Sequence, residues 1–389
     1  MLAATVRVTR DLDLAEECVQ DAFATALTEW ADGMPARPGA WLTTVSRRRA
    51  LDALRRQSTL RSKLPLLVEP EVEPGPDASD SYPDDRLRLL FTCCHPALSL
   101  DAQVALTLRL LCGLSTAEVA RAFLVTESTM AARITRAKKK ISQARIPYRI
   151  PEVDELPERV EAVLAVVHLL FTTGHTAPGG ERLVRQELVA RARDLATMLH
   201  ELLPSAEVAG LLALILLLDA RRATRVGDDG HLLLLEEQDR TAWDRADIER
   251  GLALVRAALL GGPPGRYALQ AAIAAVHADA LSWEDTDWRE IVALYGLLQA
   301  RWPSPVVALN RAVAVGFSQG PQRGLMLLDE LAEQADLRGY PYLPAARADF
   351  LRKLGRHDEA RRAYLDALDL TQNTVERAFL QGRVDQLSR

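Results

Sequence analysis

The chain has 389 residues, of which 48% are hydrophobic and only 5% aromatic, and it carries a formal net charge of −5. That length accommodates roughly two to four domains, and a composition dominated by Ala, Leu and Arg favours an all-α fold over sheets. A net negative chain is excluded as a nucleic-acid binder over its whole surface, so any such activity rests on local basic patches.

Residues 1–62 read as one small helical domain. Asp11 to Trp30 is amphipathic: Leu14, Cys18, Phe23, Ala26, Leu27 and Trp30 are expected to face inward, and Asp13, Glu16, Glu17, Gln20 and Asp21 form an acidic outer face. Gly33, Pro35, Pro38 and Gly39 then break the helix. A second helix begins near Ala40, with Trp41, Leu42, Val45, Leu51 and Leu54 as its apolar residues and Arg47, Arg48, Arg49, Arg55 and Arg56 along the rest. An acidic helix and a basic helix therefore lie side by side. Residues 63–85 read as a linker, rich in Glu, Asp and Pro, that cannot bury a core. It is either a plain spacer or an acidic thread that imitates nucleic acid.

Residues 86–146 form the second small domain. Two helices, within 84–98 and 101–114, precede its most informative stretch, Leu110 to Arg145. There Ser115 and Glu118 have the spacing of a capping box, and Val119, Ala120 and Phe123 give the following helix an apolar face. After a break at Leu124-Val125, Thr126 occupies an N-cap position. Met130, Ile134, Ala137 and Ile141 then recur at spacings of four, three and four, one stripe of an α-helix. The opposite side carries Ser128, Thr129, Ala131, Ala132, Arg133, Thr135, Arg136, Lys139 and Lys140. Small residues allow close approach to base edges, and the later cations reach phosphates, as a recognition helix in a major groove requires. A surface hairpin with a solvated basic face is the plain alternative.

From 155 to 389 the chain becomes a succession of helix-length segments broken by Gly and Pro. Residues 345–370 follow a tetratricopeptide helix pair, with Leu354-Gly355 at the turn and Ala360, Tyr364 and Ala367 at packing positions. Residues 305–331 are a looser copy with Gly320 near the turn. Such pairs stack and expose a groove, which suits a protein partner or a sensing role.

No catalytic constellation is present: H-E-x-x-H, G-x-S-x-G and a G-K-[ST] phosphate loop are all missing, so neither enzyme activity nor a cofactor is expected. Cys18, Cys93, Cys94 and Cys112 form no C-x-x-C pair and read as buried reduced thiols. No signal peptide is recognised, and the longest apolar run, Leu211 to Leu218, is too short to span a bilayer. A cytoplasmic location without membrane contact is expected.

The motifs carry a resemblance. DLDLAEECVQDAF with GAWLTTVSRRRALDALRR resembles region 2 of bacterial sigma-70 family factors, and GLSTAEVARAFLVTESTMAARITRAKKKI resembles their region 4. Two small domains joined by a linker resemble the extracytoplasmic-function (ECF) sigma factors. The segments at 234–244, 265–278 and 303–315 resemble the ECF group with a tetratricopeptide-like extension. The resemblance implies that Asp13, Glu16, Glu17, Gln20 and Asp21 dock on core RNA polymerase, with no bond-making chemistry in the chain itself. It implies that Gly39, Trp41, Arg47, Arg48, Arg49, Arg55 and Arg56 meet the −10 element of promoter DNA. By periodicity Trp41 suits core packing better than base stacking. Ser128, Thr129, Ala131, Ala132, Arg133, Thr135 and Arg136 would read the −35 element, with Lys139 and Lys140 on phosphates. Two departures stand out: the segment before Asp11 is short for the helix that usually lies there, and HLLFTTGHTA (168–177) departs from an expected asparagine-glutamate-glycine pattern. The alternative is a helix-turn-helix regulator with a repeat sensor domain.

Overall fold

The computed structural model describes residues 1–31, 33–62, 85–123, 125–177, 179–227, 230–333 and 337–387, together with the side chains of these residues other than 57–62 and 122. Residues 63–84 of the expected acidic linker and Leu124 of the expected turn lie outside the described residues, while Asp85 begins a helix. Every regular element within them is helical, and two isolated β-bridges are the only extended pairings. The chain divides into two compact units, Met1–Val166 and Val167–Arg389.

The first unit opens with α1 (Leu2–Thr9), α2 (Leu12–Glu29) and α3 (Pro38–Ser62), which pack on one another. Asp11 caps α2 by accepting from the amides of Asp13 and Leu14. The buried stripe of α2 is Leu12, Ala15, Cys18, Ala22 and Ala26. This corrects the expected inner face: Phe23 is 49% and Leu27 84% exposed. The small alanines let α3 approach closely, so Ala22 and Ala26 meet Leu42 while the larger side chains turn outward. Leu51 of α3 is likewise exposed. Trp41 is half-buried, edge-on to Trp30 with ring centroids 5.2 Å apart.

The same unit continues with α4 (Asp85–Cys93), α5 (Leu100–Leu106), α6 (Thr116–Ala122) and α7 (Glu127–Gln143). Between α5 and α6 the helix widens into π turns at Thr107–Leu111. Leu87, Leu89, Leu90 and Phe91 are essentially inaccessible. All four cysteines are buried and outside any disulfide, and burial pushes the Cys94 thiol up to about 12. Tyr148 closes the unit, its hydroxyl donating to the carbonyls of Ala3 (2.7 Å) and Asp85 (3.0 Å).

The boundary between the units falls inside α8 (Leu156–His175). The second unit is built around α10 (Ala206–Asp219). This helix is apolar on all sides because α9 (Gln186–Leu202), α11 (Arg245–Leu260) and α12 (Arg266–Asp279) all pack on it. Arg193 of α9 forms a two-pronged bridge to Asp247 of α11 at 2.5 and 2.7 Å. From α13 (Trp288–Arg301) onward each helix packs on its predecessor: α14 (Pro305–Gln319), α15 (Pro321–Ala332), α16 (Tyr342–Lys353), α17 (His357–Leu370) and α18 (Thr374–Gln386). Buried Asn373 returns the last helix to the segment after α8, donating to the carbonyls of Ala177 (3.1 Å) and Arg182 (3.0 Å).

Gly320 (φ 103°) and Gly355 (φ 74°) make the α14–α15 and α16–α17 turns, where a side chain would be strained. Gly316 serves a different need. A Cβ there would lie 2.1 Å from Cζ of Phe350, whose ring is 2% exposed and flanked by Phe317. Gly316→Ala gains about 1 kcal/mol of helix propensity but overpacks a filled site at about 1–3 kcal/mol. We expect a net loss, visible as a melting temperature lowered by a few degrees. An unchanged or higher midpoint would show that the ring moves aside freely.

Candidate nucleic-acid interface

The turn around Leu124 is held by local chemistry at both ends. The Ser115 hydroxyl accepts from the Glu118 amide at 3.2 Å, and the Glu118 carboxylate accepts from the Ser115 amide at 2.7 Å, closing the expected capping box. Thr126 caps α7, its hydroxyl accepting from the Thr129 amide at 3.2 Å. Met130, Ile134, Ala137 and Ile141 are all buried, so the opposite face of α7 is forced outward.

On that face Ser128, Thr129, Ala131, Ala132, Thr135, Arg136, Lys139 and Lys140 are exposed. Ser128 and Thr129 also share hydrogen bonds with the Thr126 hydroxyl, at 3.1 and 2.8 Å. Arg133 stands apart. It is half-buried, bridges to Asp101 at 3.2 Å and lies over the Phe123 ring. Arg136, Lys139 and Lys140 make no ion pair with any described residue.

On α3, Arg47, Arg48, Arg55 and Arg56 are exposed and Gly39 lies open at the start of the helix. Arg49 bridges back to α2 instead, donating to Asp21 at 3.0 Å and to the Thr25 hydroxyl at 2.7 Å. Arg49 and Asp21, expected on two separate binding faces, therefore hold each other.

The acidic face of α2 is partly covered. Lys138 of α7 bridges to Asp13 at 2.8 Å and to Glu16, and Arg109 from the π turns bridges to Glu16 at 3.1 Å. The side chains of Lys138 and Glu16 are only 12% and 13% exposed. Burial works to lower the Lys138 pKa, but its hydrogen bonds to Asp13 and Glu16 and their negative charges outweigh this and leave it raised. Asp13, Glu16, Glu17 and Gln20 thus line one crevice together with Ala131 and Thr135 of α7. Glu17 and Gln20 remain exposed.

Two features escaped the sequence reading. Lys138 sits in the basic run, but its partners lie 125 and 122 positions away, so nothing local marks it. Phe23 and Leu27 form, with Trp30, an apolar exposed patch at the end of α2. Counting them as inward by period hid that patch.

In the second unit, the segment 234–244 that carried part of the resemblance is structural. Arg240 is buried and donates to the carbonyls of His277 and Ala280, both at 2.8 Å, and the Trp243 indole donates to the Thr224 hydroxyl at 2.9 Å. No described helix is long and apolar enough to cross a membrane, and no described group of His, Cys, Asp and Glu is arranged to hold a metal ion.

Residues 2–59 match the family model of sigma-70 region 2, and residues 88–141 that of sigma-70 region 4. Residues 159–259 match a family of unknown function, DUF6596. Over 396 aligned residues the chain is 42% identical to an uncharacterized protein of Rhizobium meliloti (strain 1021), covering 100% of this chain and 93% of the relative.

Proposed function

Since the chain belongs to the sigma-70 family of transcription initiation factors, we propose that it acts as an ECF-type factor. In this reading it brings core RNA polymerase to a restricted set of promoters and makes no covalent bonds itself. The observation that carries the reading is the pairing of two surfaces. An acidic and apolar one on α2 suits the polymerase, and a basic, small-residue one on α7 suits a major groove.

Asp13, Glu16, Glu17 and Gln20, extended by Phe23 and Leu27, form the polymerase-facing side. Asp21 steadies α3 through Arg49 and takes part indirectly. Arg47, Arg48, Arg55 and Arg56 serve the −10 region, while Trp41 supports the helix through its contact with Trp30. On α7, Arg136 reads a base edge, Lys139 and Lys140 neutralise phosphates, and Arg133 is held by Asp101 as a positioning contact. Lys138 and Arg109 hold α2 and α7 together in a resting arrangement, and engagement of the polymerase requires that contact to part.

The helix pairs α14–α15 and α16–α17 support the view of the C-terminal region as a tetratricopeptide-like domain that modulates activity through a protein partner. Buried Ala360, Tyr364 and Ala367 sit at the packing positions of the second pair.

Run-off transcription with purified core enzyme on a genomic library tests the reading. Promoter-specific transcripts are expected only when both proteins are present, with weak duplex binding by the chain alone. Tight sequence-specific duplex binding without polymerase, and no co-elution with core, would instead make it a conventional helix-turn-helix regulator.

A further inference from the structure

The second unit holds an open cavity of about 510 Å³ bordered by α8, α10, α12, α13 and the start of α14. Its volume falls within the range of small-molecule sites, roughly 300–1,000 Å³. A metabolite-sized occupant fits, whereas a folded partner or a nucleic acid does not. Leucine, isoleucine and valine side chains form part of the wall, joined by Ala274, Ala278, Trp243, Tyr295 and Trp302.

The polar residues of this cavity are one-sided in charge. Arg221, Arg266, His168 and His277 line it, and no described aspartate or glutamate does. The Arg221 guanidinium makes no hydrogen bond or ion pair with any described residue, and the charges of Arg225 and Arg240, of the same sign, act on it. Those two arginines are occupied. Arg225 donates to the His175 carbonyl and the Thr176 hydroxyl, and Arg240 to the end of α12. Arg266 lies flat on Trp302, its guanidinium 3.4 Å from the ring centroid, and its Nε is buried without a partner. His277 Nδ1 and Gln270 Nε2 are also buried without a partner.

Histidines respond to such surroundings by losing the proton. Burial, and then the charge of Arg266, lowers His168 to about 4, and burial with Arg221 and Arg240 does the same for His277. A guanidinium has no such escape at neutral pH. Two arginines therefore remain charged beside a cavity to which no described residue brings a countercharge, an arrangement that is costly unless something else completes it.

We propose that this cavity binds a small organic anion with an apolar or aromatic body, its oxyanion head paired by Arg221 and Arg266 and hydrogen-bonded by Gln270 and His277. A second cavity, of about 520 Å³, shares Leu235, His277, Tyr295 and Asn310 with it but carries Glu236, Asp349 and Glu376. Those carboxylates repel an anionic head and confine it to the arginine side.

The test uses the full-length chain and two probes of nearly the same shape: 1-anilinonaphthalene-8-sulfonate and its uncharged counterpart N-phenyl-1-naphthylamine. The sulfonate is expected to saturate one site per chain and to be displaced by benzoate but not by benzamide. Arg221→Met and Arg266→Met should each weaken sulfonate binding at least about tenfold and leave the neutral probe unaffected. Melting curves recorded alongside show whether each variant is folded. If Arg266→Met loses its fold with the Trp302 stack, Arg221→Met and the benzoate–benzamide comparison on the unaltered chain decide. Sulfonate affinity unchanged in Arg221→Met, or equal displacement by benzoate and benzamide, overturns the assignment.

Discussion

Replacing Lys138 with glutamate is expected to raise the apparent affinity of the chain for core RNA polymerase about tenfold. Lys138 is the principal charge that α7 places on α2, bridging solvent-exposed Asp13 and, where little solvent screens the interaction, Glu16. Glutamate there sets a third carboxylate against two others, leaving Arg109 as the remaining cation on Glu16. When a binding-competent form is populated only in part, measured affinity falls by that fraction, and weakening the closed contact by about 1.4 kcal/mol recovers a factor of ten. Lys138 belongs neither to the polymerase-facing set nor to the base-reading set, so the gain reports opening rather than a new contact. Titration of labelled chain with core enzyme measures it. If affinity for core is unchanged or reduced, the Lys138 contact is not one the polymerase must displace.

The second large effect separates reading from gripping. Arg136 and Lys139 are both exposed on α7, three residues and so about one turn apart. Arg136→Ala should cost about 1–3 kcal/mol on the preferred promoter and narrow the gap between preferred and altered −35 sequences. Lys139→Ala should weaken every promoter alike and reduce the salt slope of binding by about one ion. Run-off yields on a panel of −35 variants at several salt concentrations provide both numbers. Equal, sequence-blind losses from the two substitutions would remove Arg136 from the base-reading set. Arg133→Ala offers a contrast: its bridge to Asp101 makes its loss one of helix placement, with a smaller effect on sequence preference.

Much of this molecule is legible in one dimension because the signals are local. The capping box at Ser115 and Glu118, the Thr126 cap and the Met130–Ile141 stripe each depend on groups within one or two turns, and each appears as the spacing implies. The turn glycines Gly320 and Gly355 announce the helix pairs for the same reason. The inward face of α2 was misjudged because periodicity ranks side chains by hydrophobicity. The packing of α2 on α3 instead selected the small ones, leaving Phe23 and Leu27 outside.

What the amino-acid order determined by itself was the all-α class, the two sigma-type modules and which face of α7 points outward, since helical period, caps and breakers act over a few residues. Tertiary structure alone decided which charges neutralise one another. Lys138 reaches across more than a hundred positions to Asp13 and Glu16, Arg49 turns from its own basic row to Asp21, and Arg221 and Arg266 are left beside a cavity lined by no described carboxylate. Coulomb energy depends on separation in space and on burial, and neither quantity is written in the spacing of residues along a chain.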